Sequence, residues 1–307
     1  MRDKERTGIR DVSDVPSEVA RQVVEWFGDD GRAWLAALPN LTADLATRWR
    51  LSLGPVYPNG SHALVVAVTR ADGQPAVLKV PMVDEENRAE ADALRLYAGE
   101  GAVLLYDHDP ASGAMLLERL QPGTPIVEHM DRDQAVATAS RLLRRLWRPV
   151  PPRHRFPVVS DLVTAWAKRL WTARGVAGLP AALMAEAAAA AERLTRPDGP
   201  EGLVNRDAHL GNILAAEREP WLLIDPKPLV GERAFDAGWL IRDTLYREAK
   251  PTRDTARHCL ALVASELGVR RQRVRDWVLV RAAHNAQWTA QSGGDPMPDL
   301  MVADLVA

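Results

Sequence analysis

Three polar residues in two neighbouring segments have the types and spacing of a phosphoryl-transfer site. The segment NRDAHLGNIL (205–214) holds Asp207 and Asn212, and LLIDPKPLVG (222–231) holds Asp225 behind an apolar run. Phosphoryl transfer to a hydroxyl needs a carboxylate near the attacking oxygen and Mg²⁺ on the phosphate oxygens. Mg²⁺ prefers oxygen ligands, usually one or two carboxylates plus phosphate. The pattern predicts Asp207 as the base and Asn212 with Asp225 as metal ligands; three ordinary loop residues are the alternative.

A lysine lies inside an otherwise apolar strand, VLKV (77–80). Burying Lys79 costs free energy unless it is paired, and the following helix offers Glu86 and Glu90. We favour Glu90, because it lies against the apolar face of that helix. In protein kinases such a lysine binds the α- and β-phosphates of the nucleotide, and a glutamate on the next helix orients the lysine. The segment therefore predicts a nucleotide-binding pair; the alternative is an edge-strand lysine that points to water.

Other motifs are weaker or missing. The Gly-containing turn in YPNGSHALVVAV (57–68), with Ser61, predicts a phosphate cover, although an ordinary hairpin turn has the same composition. His209 is expected to support its loop by hydrogen bonding and not to act as the base. The chain has no GxxxxGK, HExxH or GxSxG motif and no paired-cysteine metal site, which excludes the enzyme classes that depend on them.

The elements that must position these residues fall into two parts. Residues 16–50 have helical spacing, and from about residue 51 the pattern changes to strands. HALVVAVTR and PAVLKV flank an Asp-Gly turn and predict a hairpin. A helix closed by Gly99 and two further strands, AVLLYDHD and GAMLLERL, follow. The sequence predicts an α+β fold whose N-terminal lobe, 1–118, has a helical extension (about 16–50) and an antiparallel sheet (about 51–118).

The second part, 119–307, is predicted to be a mainly helical lobe that follows a Pro-Gly hinge, QPGTP. Five segments have helical periodicity: AVATASRLLRRLW, LVTAWAKRLW, LMAEAAAAAERL, TARHCLALVASEL and VRDWVLVRAAHNAQWTAQ. The strand-like pieces of this part are GLVNR, GNILAA and WLLID, which bracket the loop 205–212 and Asp225.

Composition excludes several functional classes. Hydrophobic residues make up 47% and charged residues 26% of the 307 residues, as in ordinary globular proteins. No apolar run approaches the roughly 18 residues of a membrane span, and the charged first twenty residues lack a signal-peptide core. We therefore expect a cytoplasmic protein without a membrane partner. The single cysteine, Cys259, excludes an internal disulfide and is expected to be a small buried hydrophobe.

Charge is unevenly distributed along the chain. Residues 1–120 hold 13 Lys and Arg against 19 Asp and Glu, whereas residues 121–307 hold 26 against 22. Neither part has the concentrated positive charge of a nucleic-acid-binding protein, so no nucleic-acid partner is expected.

Three strings carry a resemblance to known proteins: GRAWLAALP (31–39), DHDPASGAMLLERL (107–120) and AAEREPWLLIDPKPLVG (215–231). They resemble the aminoglycoside phosphotransferase family, a branch of the protein-kinase-like fold, and within it the streptomycin 6-phosphotransferase and hydroxyurea kinase group. The resemblance extends from about residue 31 to about residue 240. It implies a bilobal kinase-like fold and transfer of the γ-phosphoryl group of ATP, with GTP as an alternative donor, to a hydroxyl of a small-molecule antibiotic in the presence of Mg²⁺.

The resemblance also implies roles for individual residues. Backbone groups of Leu117–Leu120, among them Glu118 and Leu120, would meet the adenine edge. Asp236 would buttress the catalytic loop. The remaining implied roles are phosphate binding by Lys79, orientation of that lysine by Glu90, the catalytic base at Asp207, and Mg²⁺ binding by Asn212 and Asp225.

The loop departs from the family pattern at two positions, where Asn205 and Arg206 stand in place of a histidine and a small or aromatic residue. A positive charge beside the base would lower the pKa of that aspartate and attract an anion, which makes Arg206 a candidate catalytic residue. A structural ion pair within the loop is the alternative role of Arg206.

The acceptor is less defined than the reaction. A site for a polycationic aminoglycoside should be rich in carboxylates, yet residues 121–307 carry a net charge of +4. A less cationic product, such as a nucleoside antibiotic, is therefore an alternative acceptor, and a non-catalytic kinase-fold binding protein is a further alternative. The candidate acceptor residues are Glu128, His129, Trp239 and Asp243; Trp166, Trp171 and Trp288 are aromatic positions that pack in the core or form apolar walls of the site.

Overall fold

Two units divide the part of the chain that the computed structural model describes, residues 14–58 and 60–307. One unit contains the described residues up to Gly99 together with Val103–Gln121, and the other contains Glu100–Ala102 and Pro122–Ala307. Residues 1–13, which form most of the charged start of the chain, and Asn59, in the predicted phosphate-covering turn, lie outside the described residues.

The first unit contains the predicted antiparallel sheet. The strands are β1 (Ser52–Val56), β2 (Ala63–Thr69), β3 (Pro75–Pro81), β4 (Leu105–Asp109) and β5 (Ala114–Glu118). They lie in the order β1-β2-β3-β5-β4, and every neighbouring pair is antiparallel. The Asp-Gly hairpin is confirmed: Gly73 has a φ of 81° in the turn between β2 and β3, a conformation that glycine adopts without steric cost.

The predicted helical extension covers one face of this sheet. The helical segment α1 (Ser17–Trp49) is interrupted at Gly28, whose φ of 57° and ψ of −123° are not helical. Beyond this break the chain returns along itself, and a Cβ on Gly31 would lie 2.5 Å from the carbonyl oxygen of Val23. The apolar positions of α1 share one core with side chains from the sheet: Val23, Leu38, Leu45, Leu64, Val66 and Leu78.

Helix α2 (Glu90–Tyr97) begins later than its sequence pattern predicts. The Asp84 carboxylate accepts hydrogen bonds from the backbone N–H groups of Glu86 and Asn87, and the side-chain oxygen of Asn87 accepts one from Asp84. Such local bonds compete with helical ones, so residues 85–89 form turns. Glu90 is consequently the first residue of the helix.

The second unit is mainly helical, as predicted. The five predicted helices correspond to α3 (Arg132–Leu146), α4 (Val159–Ala173), α5 (Ala181–Leu194), α7 (Arg253–Leu267) and α8 (Arg271–Gln291). Two more helices, α6 (Phe235–Arg247) and α9 (Met297–Val306), were not predicted. Cys259 is buried on α7, as expected, and burial raises the pKa of its thiol to about 11.

Two short sheets in the second unit hold the loop residues. One has the order β6-β8-β9 and contains β6 (Pro122–Pro125), β8 (Ile213–Ala216) and β9 (Trp221–Leu223). The other pairs β7 (Glu201–Asn205) with β10 (Pro228–Glu232). The boundary between the two units falls between Gln121 and Pro122, within the segment QPGTP that was predicted as a Pro-Gly hinge. Residues Pro122–Pro125 of this segment form an edge strand, a position that tolerates proline. Strand β10 was missed, since it starts at a proline.

None of the helices in the described ranges is long and apolar enough to cross a membrane.

Candidate active site

The first unit contains a buried ion pair between β3 and α2. Lys79 Nζ lies 2.7 Å from both carboxylate oxygens of Glu90. The two residues are only 8% and 1% exposed, so neither charge is stabilised by much water. Strand β3 directs Lys79 to the side of the sheet where α2 begins, and the late start of α2 places Glu90 in its first turn. The pairing that was favoured on the pattern of the helix is therefore present.

The other predicted nucleotide-binding residues of this unit lie on its loops and strand ends. Ser61 is exposed two residues before β2, and its hydroxyl lies 3.3 Å from Nδ1 of His62. Glu118 ends β5, and its carboxylate accepts a hydrogen bond of 3.0 Å from Leu104 N. Leu120 follows in a stretch without helix or strand. Roles in nucleotide binding remain predictions for these residues.

In the second unit, Asp207 lies in the turn that follows β7 and is half-buried. The amide Oδ1 of Asn205 accepts hydrogen bonds from two backbone N–H groups, those of Asp207 (3.0 Å) and Lys227 (2.9 Å). The N–H of Arg206 in turn donates to the carbonyl of Lys227 at 3.0 Å. The loop containing Asp207 and the segment after Asp225 are thus joined through Asn205.

Strand pairing brings Asn212 and Asp225 to the same end of one hairpin. Ile213 pairs with Leu223 in the β8–β9 ladder, and Ile224 N donates to the carbonyl of Asn212 at 2.9 Å. Asn212 Nδ2 lies 3.4 Å from Asp207 Oδ2 and 3.2 Å from the Asp207 carbonyl. The structure therefore brings together the three polar residues predicted from their spacing.

The backbone of Asp225 is strained. Its φ is 51°, in the left-handed region that is unfavourable for a residue with a Cβ. Such conformations occur mainly where the surrounding structure imposes them, often at functional sites. A carboxylate and an amide oxygen are hard oxygen donors that suit Mg²⁺, so Asp225 and Asn212 are residues that would hold a magnesium ion, with phosphate and water as its further ligands.

Sequence reasoning missed Lys227. Its Nζ lies 3.1 Å from Asp207 Oδ2, and the side chain is 11% exposed. The ammonium therefore orients the carboxylate of the predicted base. A signal was available in the sequence, because Lys227 is the one ionisable residue in the otherwise apolar stretch Pro226–Val230, just as Lys79 is in VLKV.

Asp236, in the first turn of α6, contacts the backbone at the start of the loop 205–212. Its Oδ1 accepts a hydrogen bond of 2.7 Å from Asn205 N, and its Oδ2 accepts one of 2.8 Å from Trp147 Nε1. Burial raises the pKa of Asp236 to about 7, against the opposing effect of these two hydrogen bonds. The contact that a buttressing role requires is thus present.

The neighbours of Asp207 have different environments. Arg206 lines a cavity with Trp166 and Trp239. His209 accepts a hydrogen bond from Gly211 N at 3.1 Å through its Nδ1, and its Nε2 lies 3.9 Å from Asp207 Oδ1. These contacts agree with the expected role of His209, which is to support the loop by hydrogen bonding.

The four candidate acceptor residues lie on two segments that both pack against the 3₁₀ turn Leu210–Asn212. Glu128 and His129 are exposed on the segment after β6, and His129 Nε2 is 2.5 Å from the hydroxyl of Thr124. Trp239 and Asp243 lie one turn apart on α6, where buried Asp243 accepts a hydrogen bond of 2.8 Å from Arg247 Nε. Binding of an acceptor by any of them remains a prediction.

The remaining tryptophans differ in their surroundings. Trp166 is buried and lines the same cavity as Trp239. Trp171 Nε1 donates to Glu192 at 2.5 Å, and the ring is covered by Arg174. Trp288 is 51% exposed.

Comparison with known structures supports the fold. An aminoglycoside phosphotransferase, solved as a ternary complex with ADP and hygromycin B, superposes with a TM-score of 0.60 at 12% sequence identity and covers 86% of this chain and 97% of its own. Choline kinases share the same fold. The predicted α+β fold of the protein-kinase-like class is therefore confirmed.

Comparison of sequences gives the family. The chain is 36% identical over 285 residues to a streptomycin 6-kinase of Streptomyces glaucescens, which covers 91% of this chain and 92% of the relative. It is 34% identical over 306 residues to a hydroxyurea phosphotransferase of Kitasatospora aureofaciens, covering 95% and 85%. A family model described as aminoglycoside/hydroxyurea antibiotic resistance kinase matches residues 48–293. These matches confirm the predicted resemblance and the enzyme class, and the chain belongs to the aminoglycoside/hydroxyurea antibiotic resistance kinase family.

Proposed function

We propose that this protein is an ATP- and Mg²⁺-dependent phosphotransferase that inactivates an antibiotic by phosphorylating one of its hydroxyls, with a streptomycin-type aminoglycoside as the acceptor. The observation that carries the proposal is the arrangement of Asp207, Asn212 and Asp225 around one hairpin end, in a chain of this family. Because ATP is the donor, we also propose a cytoplasmic location.

Asp207 is the proposed base. Its carboxylate accepts the proton of the acceptor hydroxyl while the hydroxyl oxygen bonds to the γ-phosphorus. The bond from that phosphorus to the oxygen bridging the β- and γ-phosphates breaks, and ADP leaves. Lys227, at 3.1 Å, and the Asn212 amide hold the carboxylate in one orientation. Fixing the reacting groups in this way lowers the entropic part of the barrier.

The nucleotide is proposed to bind through residues of the first unit. Lys79, oriented by Glu90, contacts the α- and β-phosphates, and Ser61 with the neighbouring backbone covers them. Backbone groups near Glu118 and Leu120 bind the adenine edge. Asn212 and Asp225 would hold Mg²⁺, which neutralises charge on the phosphate oxygens when it is bound.

ADP formation by purified protein tests the reaction. The panel contains streptomycin, other aminoglycosides, hydroxyurea and several nucleoside antibiotics, each with Mg²⁺ and with ATP or GTP. We expect ADP with streptomycin. Turnover with a nucleoside antibiotic and none with streptomycin would overturn the acceptor and retain the reaction. Nucleotide binding without ADP or GDP across the panel would favour the non-catalytic alternative.

The variant Asp207→Asn tests the base. Loss of a general base typically lowers kcat by about 10²–10⁴-fold. Asp254→Asn is the matched control, because Asp254 is an exposed aspartate in the first turn of α7, 87% exposed in its side chain. Normal turnover by Asp207→Asn would refute the assignment, whereas equal loss in both variants would point to a general defect in the protein.

A further inference from the structure

The segment Gly60–His62, which leads into β2, is held against the helical extension α1. His62 is buried. Its ring lies edge-on to Trp26, with 5.7 Å between the ring centroids, and it is tilted against Phe27 at 6.1 Å. Aromatic rings at such separations attract each other beyond the effect of burial. The three rings therefore join this segment to the part of α1 that directly precedes the break at Gly28.

The backbone of the segment lies close to its neighbours as well. Met82 N donates a hydrogen bond of 2.9 Å to the His62 carbonyl, which continues the contact between β2 and β3 beyond Ala63. A Cβ on Gly60 would collide with the carbonyl oxygen of Ala63 and would lie 3.7 Å from Cγ2 of Val19 on α1. The chain at Gly60 is therefore too close to the sheet to accept a side chain.

His62 also faces the turn that sets the start of α2. Its Nε2 lies 3.8 Å from Asp84 Oδ2, and Asp84 Oδ1 accepts a hydrogen bond of 2.9 Å from Asn87 N. The carbonyl of Asn87 in turn accepts one of 2.9 Å from Glu90 N. One imidazole thus lies between α1 and the turn that places Glu90 beside Lys79.

The segment adjoins the residues that are proposed to bind the nucleotide. Lys79 pairs with Val65, two pairs from the end of the β2–β3 ladder where Gly60–His62 enters the sheet. The hydroxyl of exposed Ser61 lies 3.3 Å from Nδ1 of His62. A hydroxyl and successive backbone N–H groups are donors that bind phosphate oxygens. The side chain that anchors the segment therefore also contacts its predicted phosphate ligand.

We propose that His62 is a positioning residue for ATP. By anchoring Gly60–His62 on α1, it holds Ser61 and the neighbouring backbone N–H groups in place to bind the phosphates, and it acts through these groups and not on the nucleotide. The inference rests on the proposed function, in which Lys79 and Ser61 bind the nucleotide. Donors that are already ordered bind a ligand more tightly, because less conformational entropy is lost on binding.

Calorimetric titration of the full chain with a non-hydrolysable ATP analogue and Mg²⁺, without an acceptor, tests this role. We expect His62→Ala to weaken analogue binding by about three- to tenfold, which is the size expected for loss of the aromatic contacts. His62→Phe keeps a ring against Trp26 and Phe27 and should bind within about twofold of wild type. Equal binding by wild type and His62→Ala would overturn the proposal.

Val68→Ala is the matched control, because Val68 is buried in the core between α1 and the sheet, at the opposite end of β2. It should lower the midpoint of thermal unfolding and leave analogue binding within about twofold of wild type, since distant sites act independently. Equal weakening by Val68→Ala and His62→Ala would contradict the proposal, because general loosening of the first unit would then explain both.

A second variant keeps the test valid if His62→Ala fails to fold. Trp26 is exposed on α1, so its removal disturbs the core little. Trp26→Ala removes one of the two ring contacts of His62 and should weaken analogue binding by about two- to fivefold. Unchanged binding by this variant would show that the contact with α1 does not order the segment.

Kinetics with an active acceptor separate positioning from chemistry. His62→Ala should raise the KM for ATP by about three- to tenfold and leave the KM for the acceptor and kcat within about twofold. A fall in kcat with an unchanged KM for ATP would refute the positioning role.

The binding measurement also separates this proposal from the proposed function. Absence of analogue binding to the wild-type protein would refute both the nucleotide site and the role of His62. Binding by the wild-type protein that His62→Ala leaves unchanged would refute the role of His62 alone, and the proposed phosphotransferase activity would stand.

Discussion

At the scale of single residues, the catalytic loop has Asn205 where the family pattern has a histidine, and the hydrogen bonds of Asn205 keep this loop ordered. Its side-chain oxygen accepts hydrogen bonds from the N–H groups of Asp207 and Lys227, and its own N–H donates to Asp236. One amide therefore sets the position of the proposed base and of the lysine that pairs with it.

Replacing this amide should affect both stability and turnover. Asn205→Ala leaves two N–H groups without their acceptor, and each such loss costs about 1–3 kcal/mol when the group stays buried. We expect the free energy of unfolding in denaturant to fall by about 2–6 kcal/mol and kcat to fall by about 10–100-fold, because the base loses its position. Asn40→Ala, at an exposed position of α1, is the control. A lower stability with an unchanged kcat would show that the amide does not position Asp207.

Asp236 should produce a pH-dependent difference in stability. Its pKa rises from 3.8 to about 7 on folding because the carboxyl is buried. Between these values the folded state binds more protons than the unfolded state, so the stabilisation present at low pH is lost as the pH rises. We expect the free energy of unfolding, relative to Asp236→Asn, to decrease from about pH 4 to about pH 7. A relative stability that rises over this range would contradict the raised pKa.

At the scale of elements, close backbone contacts hold strands and helical segments together. The β8–β9 hairpin brings Asn212 next to the segment that carries Asp225. In the first unit, the break at Gly28 lets the two parts of α1 pack on each other, and Gly31 is where they approach most tightly: a Cβ there would meet Val23 O at 2.5 Å.

Gly31→Ala should therefore destabilise the first unit. The added methyl group meets backbone, which cannot move away as a flexible side chain can, and overpacking of this kind costs about 1–3 kcal/mol. Gly175→Ala is the control, because a Cβ at Gly175 would have no neighbour closer than 4.0 Å. Thermal unfolding of both variants measures the difference. Equal midpoints would show that the two parts of α1 can move apart at Gly31 without loss of stability.

At the scale of the whole molecule, the residues proposed to bind the nucleotide and those proposed for catalysis and metal binding belong to different units. The buried Lys79–Glu90 pair belongs to one unit, and Asp207, Asn212, Asp225 and Lys227 belong to the other.

Removal of Mg²⁺ should abolish catalysis and leave the fold unchanged. Excess EDTA is expected to lower ADP formation by more than about 100-fold, because charge on the phosphate oxygens is no longer neutralised. The midpoint of thermal unfolding without nucleotide should change by less than about 1 °C, since only Asn212 and Asp225 would hold the ion and such weak binding contributes little stability. A clear fall in the midpoint would show that the metal supports the structure.

Local patterns in the sequence predicted elements that depend on neighbours along the chain. Alternation and the Asp-Gly turn predicted the β2–β3 hairpin, and helical spacing predicted α3, α4, α5, α7 and α8. Strands β6 and β10 were missed because each is short and contains proline, so their pairing depends on partners far along the chain. Helix α6 was missed although it carries Trp239 and Asp243.

The types and order of the chemical groups can be read from the sequence: a lysine in an apolar strand, a glutamate on the next helix, and three oxygen-bearing residues at short spacing. The partners of these groups depend on how the elements pack. Asn205 reaches the N–H of Lys227, 22 residues away, and Asp236 reaches Asn205 across 31 residues. The cavity that Arg206 lines with Trp166 and Trp239 takes residues from three helices and a loop. Such contacts follow from packing between elements, for which no local spacing rule exists.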